Sequence, residues 1–283
     1  MNCQSGTACT AEVLIDTAAR LPASPQVLAE LNELLLAPHL QLEDVVALLR
    51  RDSPLAGSVV RVANSALYGG PRVGSIEDAV SRVGLDEVFR AVSLATTMRC
   101  AEVALPCYGI PQARLGRNML LHALAVESLA TLTGLDARVA YTTGLLRPLG
   151  LMVINQHLRN RGDGLRPVTN SRDLLAMERE WVGRTNPEVA ALVLAHWHFV
   201  PEVVAAVREQ YLLSGWQEAS RLGVALHVAG AMVVALGAAL KPEQDLWIAN
   251  PAKLAWLGLA EEQLLAAQEQ TRQQYERLRC TIE

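Results

Sequence analysis

Arg147 and Pro148 stand in the middle of "AYTTGLLRPLGLMVIN", an otherwise apolar stretch over residues 140–155. A permanent cation and a residue without a backbone donor are both costly in a segment bound for the core. Either a helix ends there, or the pair stands where more demanding chemistry would otherwise sit. The other chemically able side chains are histidines and cysteines. His122 and His227 lie in apolar runs, where the ordinary fate of a ring is a hydrogen bond inside the core. His196 and His198 flank Trp197 at a spacing of two, so they share no helical face and read as helix-end residues. Cys100 and Cys107 are the nearest approach to a thiol motif, and none of the five cysteines forms a C-x-x-C pair. That usage fits a reduced chain.

The elements that must hold these residues read as helices. Hydrophobic residues make up 51% of the 283, mostly Leu, Val and Ala with only two Phe, which favours helix over sheet. Pro25 opens a helix to about Leu36, and Leu42, Val45, Val46 and Leu49 recur at helical spacing. Asp52-Ser53-Pro54 reads as a cap with proline at the first helical position, and Ser75 with Asp78 resembles a capping box. Asp86 can cap the helix after Gly84. Periodicity lapses between Cys100 and Pro111. Beyond it, helices are expected at 112–133, 136–146, 149–158, 171–182, 187–196, 201–211, 217–240 and 260–279. No segment alternates over six residues. The expected fold is all-α: an N-terminal extension over 1–19, a helical subdomain over 20–106 and a second over 107–283.

Leu222 to Leu240 is 19 residues without a formal charge, enough to span a bilayer. It is rich in Ala and Gly, holds His227 and has no aromatic belt, so a buried helix and no membrane span are expected. Its packing partners should be the helices of His122 and Leu145. Glu261 to Arg279 reads as a charged amphipathic helix with a solvated face. Net charge is −4 and lysine occurs only at Lys241 and Lys253, so no nucleic-acid partner is expected. A local basic face could still form at Arg159, Arg161, Arg166 and Arg172. The N-terminus has no basic and apolar leader, which points to a cytoplasmic protein.

Longer strings carry a family resemblance. "LPASPQVLAELNELL", "LEDVVALLRRDSPLAGSVVRVANSALYG" and "VGSIEDAVSRVGLDEVFRAVSLA" are followed by "LHALAVESLATLTG", "AYTTGLLRPLG", "WHFVPEVVAAVREQY" and "LHVAGAMVVALG". Over roughly residues 20–270 the chain resembles the HDOD family, the HD-related output domains of bacterial signalling. The resemblance implies that the second half is an HD-like helical bundle. HD-superfamily phosphohydrolases hold metal with a histidine, a His-Asp pair and a later aspartate, and the metal generates a hydroxide for phosphoester attack. Carried onto this chain, the first histidine falls on His122, the His-Asp pair on Arg147 and Pro148, and the later aspartate on Gly230. Histidines that some relatives add fall near Gln210 and Tyr211. The chain contains no His-Asp dipeptide.

One of four ligand positions keeps a donor, so the resemblance implies a vestigial site with no catalytic residue, no metal and no cofactor. The function expected is a non-catalytic signalling scaffold that binds protein partners. One alternative is a small-ligand or nucleotide receptor, with His122 and Arg147 lining an anion pocket. A remaining one is a phosphohydrolase with a displaced metal, which would need carboxylates such as Glu127 or Asp136 near His122. Arg147 itself is expected to reach water past Pro148, because no acidic partner is evident in the matching motifs.

Overall fold

The computed structural model describes residues 9–21, 25–65, 68, 70–162, 168, 171–212, 215–248 and 250–282. Pro22, Gly69 and Arg166, which the sequence reading used, lie outside them. Among the described residues the chain is helical, without a strand. The first group comprises α1 (Ala11–Ala19), α2 (Gln26–Leu36), α3 (Leu42–Arg50), α4 (Ser53–Ala63), α5 (Ile76–Val83) and α6 (Leu85–Ala101). The second comprises α7 (Arg114–Thr133), α8 (Ala137–Leu146), α9 (Leu149–Arg161), α10 (Ser171–Val182) and α11 (Asn186–His196). It continues with α12 (Pro201–Glu209), α13 (Arg221–Ala235), α14 (Pro251–Leu257) and α15 (Glu261–Ile282).

Several starts are made as their residues dictate. Asp52 accepts the Leu55 N–H at 3.2 Å to cap α4. Ser75 accepts the Asp78 N–H at 3.1 Å and donates back to its carboxylate at 2.6 Å. Before α6 the capping position falls on Gly84, at φ 81°, and Asp86 sits in the first turn instead. Thr185 and Glu188 form a full capping box on α11.

Helices α2 to α6 pack among themselves, and α6 joins them to α7. The residues expected as an N-terminal extension contribute α1, which packs on α9 and α11 of the second group. Between the groups, Leu105 pairs with Ile110 around a 3-10 turn at Pro106–Tyr108. Cys100, Leu105, Tyr108 and Leu115 belong to one contiguous apolar cluster, so the core runs across this joint.

Several helices differ from their expected spans, α9 and α15 each running three residues further. The run expected as 217–240 is helical only over α13, because Gly237 turns the chain at φ 66° and Pro242 starts a 3-10 turn at Lys241–Leu246. α12 stops at Glu209, two residues early. α13 packs on α7, α8, α12 and α14. No helix among the described residues is long and apolar enough to cross a membrane. α8 meets α7 closely enough that a Cβ at Gly144 would lie 2.6 Å from the His122 carbonyl oxygen. That contact sets α8, and Arg147 at its end, beside His122.

Candidate functional site

Helices α7, α8, α12 and α13 and the turn at Lys241–Leu246 bring the four ligand positions of the resemblance to one buried place. His122 is mid-helix on α7 and fully buried. Its Nδ1 lies 3.0 Å from the Asn118 carbonyl, which can only accept, so Nδ1 carries the proton and Nε2 a bare lone pair. Burial, and then the Arg147 charge, hold its pKa well below the ordinary histidine value.

Arg147 ends α8 and Pro148 opens α9, so the pair does mark a helix boundary. The expectation that Arg147 reaches water is corrected: the side chain has no exposure. Its Nη1 donates to Glu243 Oε2 at 2.8 Å and Nη2 to Glu243 Oε1 at 2.5 Å, a two-toothed pair with an equally buried carboxylate. Nη2 also donates to Asn118 Oδ1, and Nη1 to Gln210 Oε1 at 3.3 Å. Glu243 receives a further bond from the Tyr211 hydroxyl at 2.7 Å. The guanidinium carbon sits 5.0 Å from the ring centroid of Trp247.

Trp247 fills the space at Gly230. A Cβ built there would lie 2.0 Å from the indole Cε3, so no side chain fits while the tryptophan stays. The indole also meets His122 at 5.3 Å, Tyr211 at 5.0 Å and His227 at 5.7 Å between ring centroids.

Beyond Tyr211 the polar contacts continue. Its hydroxyl lies 3.2 Å from Asn186 Oδ1. Asn186 donates to Glu178 through its backbone N–H at 2.7 Å and through Nδ2, and the Tyr108 hydroxyl donates to Glu178 at 2.9 Å. Burial pushes the Glu178 carboxyl up to about 7, against the pull of those hydrogen bonds.

A metal does not fit these residues. A guanidinium and two positions without side-chain donors leave His122 alone, and no group of three His, Cys, Asp or Glu able to hold a metal occurs among the described residues. Glu127 is paired with Arg90 instead, and Asp136 caps α8 by accepting from Arg138 N at 2.9 Å and Val139 N at 3.0 Å.

The HDOD domain model matches residues 21–213. The chain belongs to the HDOD family. Its fold is shared with solved structures at low identity. A candidate phosphohydrolase of Shewanella amazonensis SB2B is 22% identical, with a TM-score of 0.63 over 96% of this chain and 98% of that one. A candidate signal-transduction protein of Marinobacter aquaeolei VT8 is 21% identical, with a TM-score of 0.64 over 95% of this chain and 64% of that one. An HDOD domain protein of unknown function from Geobacter sulfurreducens is 18% identical, with a TM-score of 0.54 over 93% and 98%. An uncharacterized protein of Treponema pallidum (strain Nichols) is 35% identical over 83 residues, 29% of this chain and 16% of that relative's length.

The other histidines and cysteines that the sequence of this HDOD chain singled out fall as their surroundings dictate. His227 is buried, with Nδ1 3.0 Å from the Gln210 carbonyl and Nε2 2.9 Å from Lys253 Nζ. His196 ends α11 and His198 follows it at φ 58°, both exposed. Cys100 and Cys107 are buried, and burial raises the Cys100 thiol to about 12. Glu243 and Trp247 are the site residues that sequence reasoning missed. They lie in "LKPEQDLWIANP", which has no periodicity and matches no metal motif. The one available signal was an acid directly after Pro242, flanked by apolar helices.

Proposed function

We propose that this HDOD chain is a non-catalytic signal-transduction module that works by binding protein partners, with an internal ion pair where its HD-type relatives would bind metal. The observation that carries the reading is the buried Arg147–Glu243 pair, backed by Trp247 against Gly230. Arg147 brings the cation and Glu243 the anion, so the place is neutral and hydrogen-bonded without a ligand. The same pair argues against an anion pocket at His122 and Arg147, since any anion there must first displace a fully buried carboxylate. The displaced-metal reading lacks its carboxylates, because Glu127 and Asp136 are engaged elsewhere. We also propose that α2 to α6 act as a subdomain apart from the HD-like bundle.

The test pairs two assays on the purified full chain. Hydrolysis of bis-p-nitrophenyl phosphate with added manganese should stay at the buffer rate. Cross-linking in the native cell should capture a protein partner, and a metal chelator added before the cross-linker should not reduce its yield. Turnover that disappears in His122→Ala would overturn the proposal.

A further inference from the structure

A second place in the bundle has the makings of a ligand site. An open groove of about 740 Å³ is lined by residues of α10, α11 and the end of α12, with Arg184 before α11 and Tyr211, Leu212 and Glu218 after α12. That volume is within the range of small-molecule sites. Three arginines and three glutamates line it, but they are not equivalent. Arg179 is bound to Glu188 at 3.1 Å, and Glu188 also takes the Thr185 N–H. Glu209 accepts both the N–H and the hydroxyl of Ser220 at 3.0 Å. Arg184 and Arg208 have no carboxylate at ion-pair distance among the described residues, and Glu218, which is exposed, is the remaining acid of the lining. Two cations from two different elements are thus left over at one groove.

The apolar wall is Leu192, Leu212 and Tyr211. Leu212 is held at φ 44°, a left-handed conformation that non-glycine residues seldom adopt, with its N–H on the Glu209 carbonyl at 2.8 Å. Such strain persists where surroundings hold it and is concentrated at ligand clamps. Tyr211 is the back of the groove on one side and the donor to Glu243 on the other.

We infer that this groove binds an organic phosphate of mononucleotide type, its phosphate held by Arg184 and Arg208 and its body against the half-buried Leu192 and Leu212. One guanidinium fork saturates a carboxylate, whereas the three terminal oxygens of a phosphate can serve two forks. The volume leaves room for a body beyond the phosphate. The inference is independent of the reading of Arg147, which lies behind Tyr211.

Isothermal titration of the full chain with adenosine 5′-monophosphate tests it, with inorganic phosphate and adenosine as the two halves of the probe. The nucleotide should bind, and each half should bind at least about tenfold more weakly. Arg184→Ala and Arg208→Ala should each weaken the nucleotide by about tenfold or more, as the loss of a charge-assisted hydrogen bond does. Arg208 is exposed and Arg184 half-buried, and neither has an ion pair among the described residues, so thermal melts without ligand should stay close to the wild type. Arg138→Ala, on α8 and outside the lining of the groove, should leave binding unchanged. No nucleotide binding up to about 10 mM, equal affinity for inorganic phosphate, or undiminished binding in the double variant would each overturn the inference.

Discussion

Glu243 grips Arg147 through both carboxylate oxygens, and neither side chain has any contact with water. A buried ion pair need not add stability relative to apolar residues of the same volume, but losing one partner leaves a charge stranded. Arg147→Ala should therefore cost about 3–5 kcal/mol in urea unfolding, and Glu243→Gln should also be strongly destabilising. Arg147→Met together with Glu243→Leu should recover most of the loss. A cost under about 1 kcal/mol for Arg147→Ala, as for a surface residue, would mean the guanidinium reaches solvent after all.

Gly230→Asp should be destabilising although it restores a carboxylate at the aspartate position of the resemblance. The new Cβ would meet the Trp247 indole, and the charge would enter a packed site, for a cost on the order of 3 kcal/mol. Adding Trp247→Ala should relieve the steric part, so the double variant should melt higher than additivity of the two single variants allows.

α13 offers a test of the buried-helix reading. Ala231, at mid-helix, is only half-buried, whereas Ala229 is wholly enclosed. Ala229→Asp should cost about 3–5 kcal/mol, and an unchanged melting temperature would mean that this helix face is not packed.

Glu178 should give the fold a pH dependence of definite sign. Its folded pKa, about 7, lies above the ordinary value of 4.5. The contribution is thus fully present below pH 4.5 and is lost as pH rises through about 7. That loss is on the order of 3 kcal/mol. His122 and His227 act in the opposite direction: their folded pKa values are depressed, so they cost stability as pH falls below 6.5. The wild type must therefore be compared with Glu178→Gln. Its stability relative to that variant should fall between about pH 5 and pH 8, and a constant difference would contradict the assignment.

The helical fold was legible because its signals are local. Asp52 and Ser75 each cap the helix their spacing predicts, and α7 and α8 fall within two residues of their expected spans. The four positions named by the resemblance each sit within a helix or at its end. Glu243 could not be assigned to Arg147, because the two are 96 residues apart and no local rule pairs them. The fit of Trp247 to Gly230 was equally hidden, since a glycine's lack of a side chain does not say what fills the space. That Arg147, Pro148 and Gly230 lack a metal-ligating side chain followed from the resemblance; that Glu243 and Trp247 fill the space beside them required the fold.

The central claim is that Arg147, Glu243 and Trp247 occupy a place where related folds hold metal. Metal content of the full chain, purified after growth with added manganese, iron and zinc, tests it most directly. The account expects far less than one equivalent of any of them, unchanged by His122→Ala. One or two equivalents, retained through purification and lost in His122→Ala, would contradict it.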